Sequence, residues 1–249
     1  MPELSLAAYI AIAVALALGG IVKGATGLGA PVVAVPVMAA FFDVRLAVVI
    51  MVVPNLFTNL WQIWTFRATR LAGPFAWRFA LAGGLGAAIG SAFLSILPAR
   101  VLTGTVALAV VAYIALRLAR PDFTVPLSRA ERVAWPVGTA AGVLQGAAGI
   151  SAPISASFLN AMRLPRAEFI PTISLFFVLM CVTQIPTLMA FGLMTTHLAL
   201  LGILALVPLV AFMPLGAHLS RTVSARTFDR MVLVLLAVLA LRLIQQTVF

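Results

Sequence analysis

The sequence predicts an all-α polytopic membrane protein with two inverted repeats, each a broken, re-entrant helical hairpin followed by three transmembrane helices. Three observations support this fold class. The 249 residues are 63% hydrophobic and 9% charged, with a mean hydropathy of +1.18, which excludes a soluble globule. A glycine-rich motif occurs twice, and the arginines fall mostly on one predicted face.

The two copies of the glycine-rich motif lie 122 positions apart. Gly20–Pro31 reads GIVKGATGLGAP and Gly142–Pro153 reads GVLQGAAGISAP, with identical residues at six of the twelve positions. Lys23, the only lysine in the protein, corresponds to Gln145. A duplicated glycine-rich break within apolar sequence is typical of transporters built from two repeats, which hold the substrate where the repeats meet.

Apolar segments fill the chain in order. They lie at residues 4–42, 46–66, 75–97, 101–116, 133–161, 169–191, 198–219 and 231–248. The first and fifth are too long for one crossing of a hydrocarbon core of ~30 Å, which takes about 20 residues. Both contain the motif and its proline, so a helix that breaks there, with the chain turning back, explains both lengths.

This segmentation divides the chain into two halves joined by a polar linker. Residues 1–120 form the predicted first repeat, with its broken hairpin at 4–42, and residues 121–132 form a cytoplasmic linker. Residues 133–249 form the second repeat, with its broken hairpin at 133–161. A weaker correspondence supports the duplication, because Gly90 and Arg100 match Gly216 and Arg226 at a common offset of 126.

Arginine placement favours the two re-entrant hairpins. If both long segments crossed the membrane once, the two faces would hold eight and seven arginines, which gives no orientation. If both turn back, twelve arginines share one face and only Arg45, Arg100 and Arg242 lie opposite. The positive-inside rule selects the second arrangement, makes the rich face cytoplasmic and places both termini outside the cytoplasm.

Charge and cysteine content narrow the expected partners. The net charge of +10 does not indicate nucleic acid, because the arginines lie in short loops between apolar runs, as is typical beside anionic lipid. The single cysteine, Cys181, allows no disulfide or cysteine metal site, and all six acids lie in predicted loops or at segment ends. We expect a small anion and the lipid bilayer as partners, with no nucleic acid, metal or cofactor.

The motif glycines are the first candidates for substrate binding. They let the backbone leave the helix, and the amides at the start of the next half-helix suit an anion. Close packing between helices is the alternative, and it is favoured for Gly86 and Gly90. The candidates within the two motifs are Gly24, Thr26, Gly27, Gly29, Gly146, Gly149 and Ser151.

Lys23 and a polar helix face supply the remaining candidates. Lys23 either neutralises a bound anion within a cavity or extends to the cytoplasmic interface. The segment 46–66 carries a polar stripe at helical spacing, which must turn towards a cavity or a neighbouring helix. The further candidates are Asn55, Asn59 and Gln62 in this stripe, and Gln145 in the second motif.

Motifs along essentially the whole chain resemble the sulfite exporter TauE/SafE family of membrane transporters. The most specific are GATGLGAP at Gly24–Pro31, GAAGISAP at Gly146–Pro153 and the closing stretch Gly216–Arg230. The resemblance implies a bacterial inner-membrane carrier of small oxidised-sulfur anions, such as sulfite or organosulfonates including sulfoacetate, usually in the export direction. In the family the second motif more often ends in a double glycine, where this chain has Ser151 and Ala152.

Two alternatives to an alternating-access carrier stay open at this point. An anion channel on the same scaffold would use the same hydrogen-bond donors. An intramembrane serine hydrolase would use Ser151 as nucleophile with His197 or His218 as base, although a catalytic pair gives no reason for a duplicated motif. We expect a transporter and not an enzyme.

Overall fold

A computed structural model describes residues 6–27, 30–119 and 124–248. This part of the chain is helical and contains no strand. The helices are α1 (Leu6–Thr26), α2 (Pro31–Ala39), α3 (Val44–Thr65), α4 (Phe75–Ile96), α5 (Ala99–Ala119), α6 (Leu127–Ala148), α7 (Ala152–Ala161), α8 (Arg166–Ala190), α9 (Thr196–Leu204), α10 (Leu206–Thr222) and α11 (Ala225–Val248). Within the described ranges, seven helical stretches are long and apolar enough to cross a membrane, which confirms the predicted polytopic all-α class.

The first motif breaks the helix where the sequence predicts. Gly27 has φ of +74°, a left-handed conformation that glycine adopts without strain, and α1 ends just before it. Pro31 then begins α2, where its missing N–H costs no helical hydrogen bond. A Cβ added at Gly19 would lie 3.1 Å from the Ala34 Cβ, so α2 runs back along α1 as a hairpin.

The second motif repeats this break. Gly149, which corresponds to Gly27, has φ of +71°, and α7 begins at Ala152 with Pro153 in its first turn. The helix before the break starts earlier than predicted, at Leu127 and not near residue 133. Its first six residues are mostly polar and exposed, although Ala130 is buried, so hydropathy marks only the later, apolar part of the helix.

The predicted span at 198–219 is two helices. The helices α9 and α10 meet at Ala205, and Pro208 lies in the first turn of α10. Proline has no N–H to donate to the carbonyl of Leu204, so the hydrogen-bond ladder is interrupted there. The two pieces together still form one membrane-length stretch, Thr196–Ser220.

The motif helix of each half packs directly against a helix of the other half through glycines, and we call each of these two contacts a glycine crossing. At the crossing of α1 with α10, a Cβ at Gly24 would overlap the carbonyl oxygen of Met213, and one at Gly216 would overlap that of Ile21. The backbones therefore touch with no side chain between them, as small residues allow in membranes.

The crossing of α4 with α6 reproduces the same contacts. A Cβ at Gly146 would overlap the carbonyl oxygen of Ala87, and one at Gly90 would overlap that of Val143. These four residues correspond to those of the first crossing at offsets of 122 for the motif helices and 126 for their partners. The packing interpretation of Gly90 is confirmed.

Hydrogen bonds place the connecting loops at two ends of the bundle. At one end the Thr69 hydroxyl donates to the carbonyl of Ala167 at 2.8 Å, and the Val125 N–H donates to that of Ala161 at 2.9 Å. The turn after α3, the linker before α6 and the turn between α7 and α8 therefore lie together. The sequence predicts all three as arginine-rich cytoplasmic loops.

The opposite end holds the three arginines predicted for it. The Arg45 guanidinium donates to the carbonyl of Leu94 at 3.0 Å, Arg100 donates to that of Thr247, and Arg242 lies 4.0 Å from the centre of the Phe41 ring. This grouping agrees with the arrangement that contains two re-entrant hairpins. The inverted relation of the two halves stays a prediction.

Candidate functional site

A cavity of about 540 Å³ opens between α1, α3, α8 and α10, on the side of the first motif. Its walls are largely apolar, with Phe57, Trp61 and Met213 among them. A small number of polar groups in an apolar cavity is the usual composition of a small-molecule site. Its polar or motif residues are Lys23, Gly24, Gly27, Thr58, Gln62, Thr65 and Arg166.

Lys23 lies at the buried side of this cavity. Its side chain is 0% exposed, and its Nζ donates a hydrogen bond of 3.0 Å to Oδ1 of Asn59. The predicted alternative, in which the side chain extends to the interface, does not occur. Lys23 is therefore held within the helix bundle. A charged group there is unfavourable in free energy unless it is paired, so such residues usually mark a functional site.

The polar stripe of α3 continues from Lys23 into the protein interior. Asn59 donates through Nδ2 to Oδ1 of Asn55 at 2.8 Å, and Asn55 donates to Sγ of Cys181 on α8 at 3.5 Å. These side chains are buried, as a polar helix face in a membrane must be. The stripe thus holds Lys23 in place from behind, and Asn59 is the member that contacts it.

Gln62 joins the break in the first motif to two other helices. Its Nε2 lies 3.4 Å from the carbonyl oxygen of Gly27, and its Oε1 accepts a hydrogen bond of 3.1 Å from Ser174 on α8. One side chain therefore links α3, α8 and the end of α1 beside the cavity. Movement of the motif would change the contacts of Gln62 at once.

No protein carboxylate balances Lys23 in the part of the chain that the structure describes. The ion pair seen between two described residues joins Arg45 to Asp43 at 3.4 Å, at the other end of the bundle. A protonated Lys23 would consequently be a buried cation without a protein counter-ion. Such a group favours a bound anion, because burial of an uncompensated charge is strongly unfavourable.

The candidates of the second motif are buried outside the cavity at Lys23. Gln145 donates through Nε2 to the carbonyl of Gly149 at 3.1 Å, and Ser151 accepts a hydrogen bond of 3.0 Å at its carbonyl from Ser155. Gly146 packs against α4. None of these four candidates lines the cavity at Lys23, and substrate contact by them stays a prediction.

Two buried amide atoms lack a hydrogen-bond partner among the described residues. They are Oε1 of Gln145, an acceptor, and Nε2 of Gln184 on α8, a donor. Gln145 is the counterpart of Lys23 in the repeat, so both motif positions carry a buried polar side chain. Of these two side chains, Lys23 is the one that lines the cavity described above.

The remaining candidates are Thr26 and Gly29. Thr26 lines a second cavity, of about 380 Å³, and its hydroxyl donates to the carbonyl of Val22 at 2.8 Å. Gly29 lies outside the described residues. The sequence-predicted site is thus brought together only in part, around Lys23, Gly27 and Gln62.

Arg166 is the main residue of the cavity that the sequence did not single out. It is the first residue of α8 and lines the cavity at Lys23 as well as the second cavity. In the sequence it is one of twelve arginines on the predicted cytoplasmic face, and no local pattern distinguishes it from the others. Ser174 and Cys181 were also missed as partners of the α3 stripe.

A family model described as sulfite exporter TauE/SafE matches residues 11–243. The chain belongs to the sulfite exporter TauE/SafE family. This confirms the resemblance seen in the motifs, and TauE/SafE membership implies a multi-pass membrane transporter of anions. Searches with this TauE/SafE chain matched no curated protein and no solved structure.

The hydrolase alternative finds no support in this TauE/SafE structure. The Ser151 hydroxyl is buried and lies 3.2 Å from that of Ser155, whereas His197 and His218 are exposed on other helices. A serine nucleophile needs a base within hydrogen-bond reach. TauE/SafE proteins are transporters rather than enzymes.

Proposed function

We propose that this protein is a secondary transporter that exports a small oxidised-sulfur anion across the bacterial inner membrane. Sulfite and an organosulfonate such as sulfoacetate are the substrates we favour. The observation that carries the proposal is Lys23, a fully buried lysine that lines a cavity of about 540 Å³ and has no carboxylate partner among the described residues.

The chemistry of the cavity suits a sulfite or sulfonate group. Lys23 and Arg166 offer positive charge, and the Gln62 amide offers an N–H donor for a remaining oxygen. The aromatic rings of Phe57 and Trp61 offer apolar surface for a short carbon chain. A site with two basic side chains and no acid among its described lining residues favours anions over cations.

We propose that transport follows alternating access between two inverted repeats. Two matched features support this: left-handed breaks at Gly27 and Gly149, and crossings of each motif helix with the other half. Inverted repeats supply two near-equivalent conformations around one site. Gln145, Gly146, Gly149 and Ser151 would then face the substrate when the protein opens to the other side.

Counterflow in proteoliposomes tests the proposal. Labelled sulfite and sulfoacetate are offered to the parent protein, to Lys23→Gln and to Arg129→Gln, with chloride as the control anion. Arg129 is an exposed arginine on α6 that lines neither cavity, so Arg129→Gln removes the same charge elsewhere. We expect the parent protein to show saturable counterflow. The rate of counterflow should fall at least about tenfold in Lys23→Gln but not in Arg129→Gln, since a direct charged contact is worth about 1.5–3 kcal/mol.

Each other outcome has a distinct meaning. Anion flux without saturation or counterflow would support the channel alternative and contradict the carrier. Counterflow that survives Lys23→Gln would keep the carrier and remove Lys23 from its site. If neither sulfur anion exchanges, the proposed substrate class is wrong.

A further inference from the structure

We propose that the cavity at Lys23 opens sideways into the bilayer, between α3 and α10, and binds sulfonates that carry an alkyl tail. The sulfonate group would lie at Lys23, and the tail would extend through the opening among the lipid chains. This role deepens the proposed function and rests on it, because it names the class of sulfur anion that the cavity holds best.

On α3, the wall of the cavity runs from the buried face of the helix to its lipid face. Thr58 and Gln62 line the cavity and are buried. Phe57 and Trp61 line it too, yet they are 51% and 66% exposed. Because α3 is a membrane-length span, exposed apolar side chains on it face lipid. The cavity therefore reaches the edge of α3 at which the bilayer begins.

The α10 wall has the same arrangement. Val210 lines the cavity and is 48% exposed, whereas Leu209, the residue before it, is fully buried. Consecutive residues of a helix point about 100° apart, so the cavity again lies where the buried face meets the lipid face. Since both walls reach the lipid, α3 and α10 form the two sides of a lateral opening.

The opening lies within the thickness of the bilayer and not at its surface. Phe57 is 13 residues after the start of α3 and 8 residues before its end, or ~20 Å and ~12 Å at 1.5 Å per residue. Val210 is 14 residues after the start and 10 residues before the end of the stretch Thr196–Ser220. At this depth the opening meets the acyl chains of a hydrocarbon core of ~30 Å.

The two ends of the cavity differ in chemistry. Lys23 forms the buried end, where it bonds to the neutral amide of Asn59, and no acid is among the described lining residues. Phe57, Trp61 and Val210 form the end that faces lipid. A buried cation and an apolar rim together match a ligand with an anionic head and an apolar tail.

A membrane phospholipid fits this cavity less well than a single-chain sulfonate. The phosphate of a phospholipid lies at the bilayer surface, whereas Lys23 bonds to Asn59, 6 residues and ~9 Å before the end of α3. An alkylsulfonate has no glycerol backbone to hold its head at the surface. It can therefore place the sulfonate at Lys23 while its tail occupies the opening.

Quenching of Trp61 fluorescence tests the opening without any transport. The chain has 4 tryptophans, and Trp64→Phe, Trp77→Phe and Trp135→Phe leave Trp61 alone. The matched control keeps Trp64 alone, which lies on the same lipid face of α3, is 63% exposed and is not among the residues that line the cavity. The probe is octanesulfonate with two bromines in its tail, added to the full-length protein in nanodiscs. A second probe has a trimethylammonium head on the same tail.

We expect the brominated sulfonate to quench Trp61 in a saturable way, and Trp64 only in proportion to the probe dissolved in the bilayer. The half-saturation concentration at Trp61 should rise at least about tenfold in Lys23→Gln, which loses a charge-assisted hydrogen bond, and stay within about twofold in Arg129→Gln. The trimethylammonium probe should show no saturable quenching, a comparison that needs no variant of Lys23. Proportional quenching of both tryptophans, or equal saturation by the two probes, would overturn the proposal.

Tail length gives a second readout of the same opening. Unbrominated octanesulfonate should displace the probe from Trp61 at a concentration at least about tenfold lower than ethanesulfonate, because each buried methylene strengthens binding up to about fourfold. Equal displacement by the two sulfonates would contradict a place for the tail.

Brominated phosphatidylglycerol in the nanodisc distinguishes a lipid from the proposed ligand. If it quenches Trp61 more strongly than Trp64 and the sulfonate probe shows no saturation, the opening holds a lipid and the sulfonate proposal is wrong.

Counterflow separates this inference from the proposed function. Saturable quenching of Trp61 in a protein that exchanges no sulfur anion would retain the binding site and lose the proposed function. Normal counterflow of sulfite without saturable quenching would retain the proposed function and remove the lateral opening.

Discussion

At the scale of single residues, the contact between Lys23 and Asn59 determines what the cavity can bind. The Asn59 amide accepts the hydrogen bond from Lys23 through a neutral oxygen, so the lysine is oriented and its charge is left for a ligand. An acid at the same position would orient the lysine equally well and neutralise it. The choice of asparagine is therefore the expected one for an anion site.

Asn59→Asp and Asn59→Ala distinguish these two effects. Aspartate is almost isosteric and would place a carboxylate at the 3.0 Å position now held by Oδ1, so it would compete with the substrate for Lys23. We expect the half-saturation concentration for counterflow to rise at least about tenfold more in Asn59→Asp than in Asn59→Ala. Equal half-saturation in the two variants would show that the substrate does not depend on the charge of Lys23.

The sequence predicts the residues of this pair but not their contact. Helix depth, counted from the start of the first segment, cannot show in which direction a long side chain runs, so two positions for Lys23 remained open. The bond to Asn59 depends on how α1 and α3 are placed relative to each other, which is decided by contacts between residues far apart in the chain. Arg166 was missed for the same reason, because only the folded structure shows that it lines both cavities.

At the scale of helices, the motif glycines have a packing role that is separable from substrate binding. Gly24 and Gly146 each touch the backbone of a helix from the other half, at α10 and α4 respectively. A glycine in a membrane helix allows this approach because it has no side chain to keep the backbones apart. Close packing is the contact the structure shows for both residues.

Gly24→Ala and Gly146→Ala should therefore lower the stability of the folded protein in detergent. The added methyl would overlap a carbonyl oxygen in each case, and overpacking of this kind costs about 1–3 kcal/mol. Gly104→Ala on α5 is the matched control, because its Cβ would lie 3.3 Å from the Thr247 methyl and would overlap no backbone atom of the described residues. Thermal unfolding checks this: both crossing variants should melt below the parent and Gly104→Ala should not, whereas three similar melting temperatures would contradict the packing role.

Helix positions were largely predictable, and the two discrepancies have physical causes. The breaks at Gly27 and Gly149 follow from glycine and proline chemistry, which acts locally. The early start of α6 at Leu127 was missed because hydropathy does not detect polar helical turns beyond the apolar stretch. The interruption at Ala205 was missed because a single proline, Pro208, removes one hydrogen bond without changing the hydropathy.

At the scale of the whole molecule, the distribution of arginines and the loop contacts indicate which side each end faces. Thr195 lies beside Arg45 in a cavity at the arginine-poor end, and Ser128 lies on the first turn of α6 near the arginine-rich end. Both are exposed. In the Cys181→Ser background, Ser128→Cys and Thr195→Cys provide one reporter thiol for each side.

We expect a membrane-impermeant thiol reagent to label Thr195→Cys in intact cells and Ser128→Cys only after the membrane is opened. This result follows from the positive-inside rule applied to two re-entrant hairpins. Arg129→Gln in the Ser128→Cys protein is a control for the local charge of the loop. Labelling of both cysteines from the same side would contradict the arrangement of the two halves and the alternating-access proposal with it.

Each half of the chain relies on the other half to cover its motif helix. Gly24 on α1 packs against α10, and Gly146 on α6 packs against α4, so the motif helix of each half is covered by a helix of the other. A half-length chain would leave that glycine face against lipid until a second copy covered it. The protein is in this respect equivalent to a domain-swapped dimer whose two subunits have been joined by a linker.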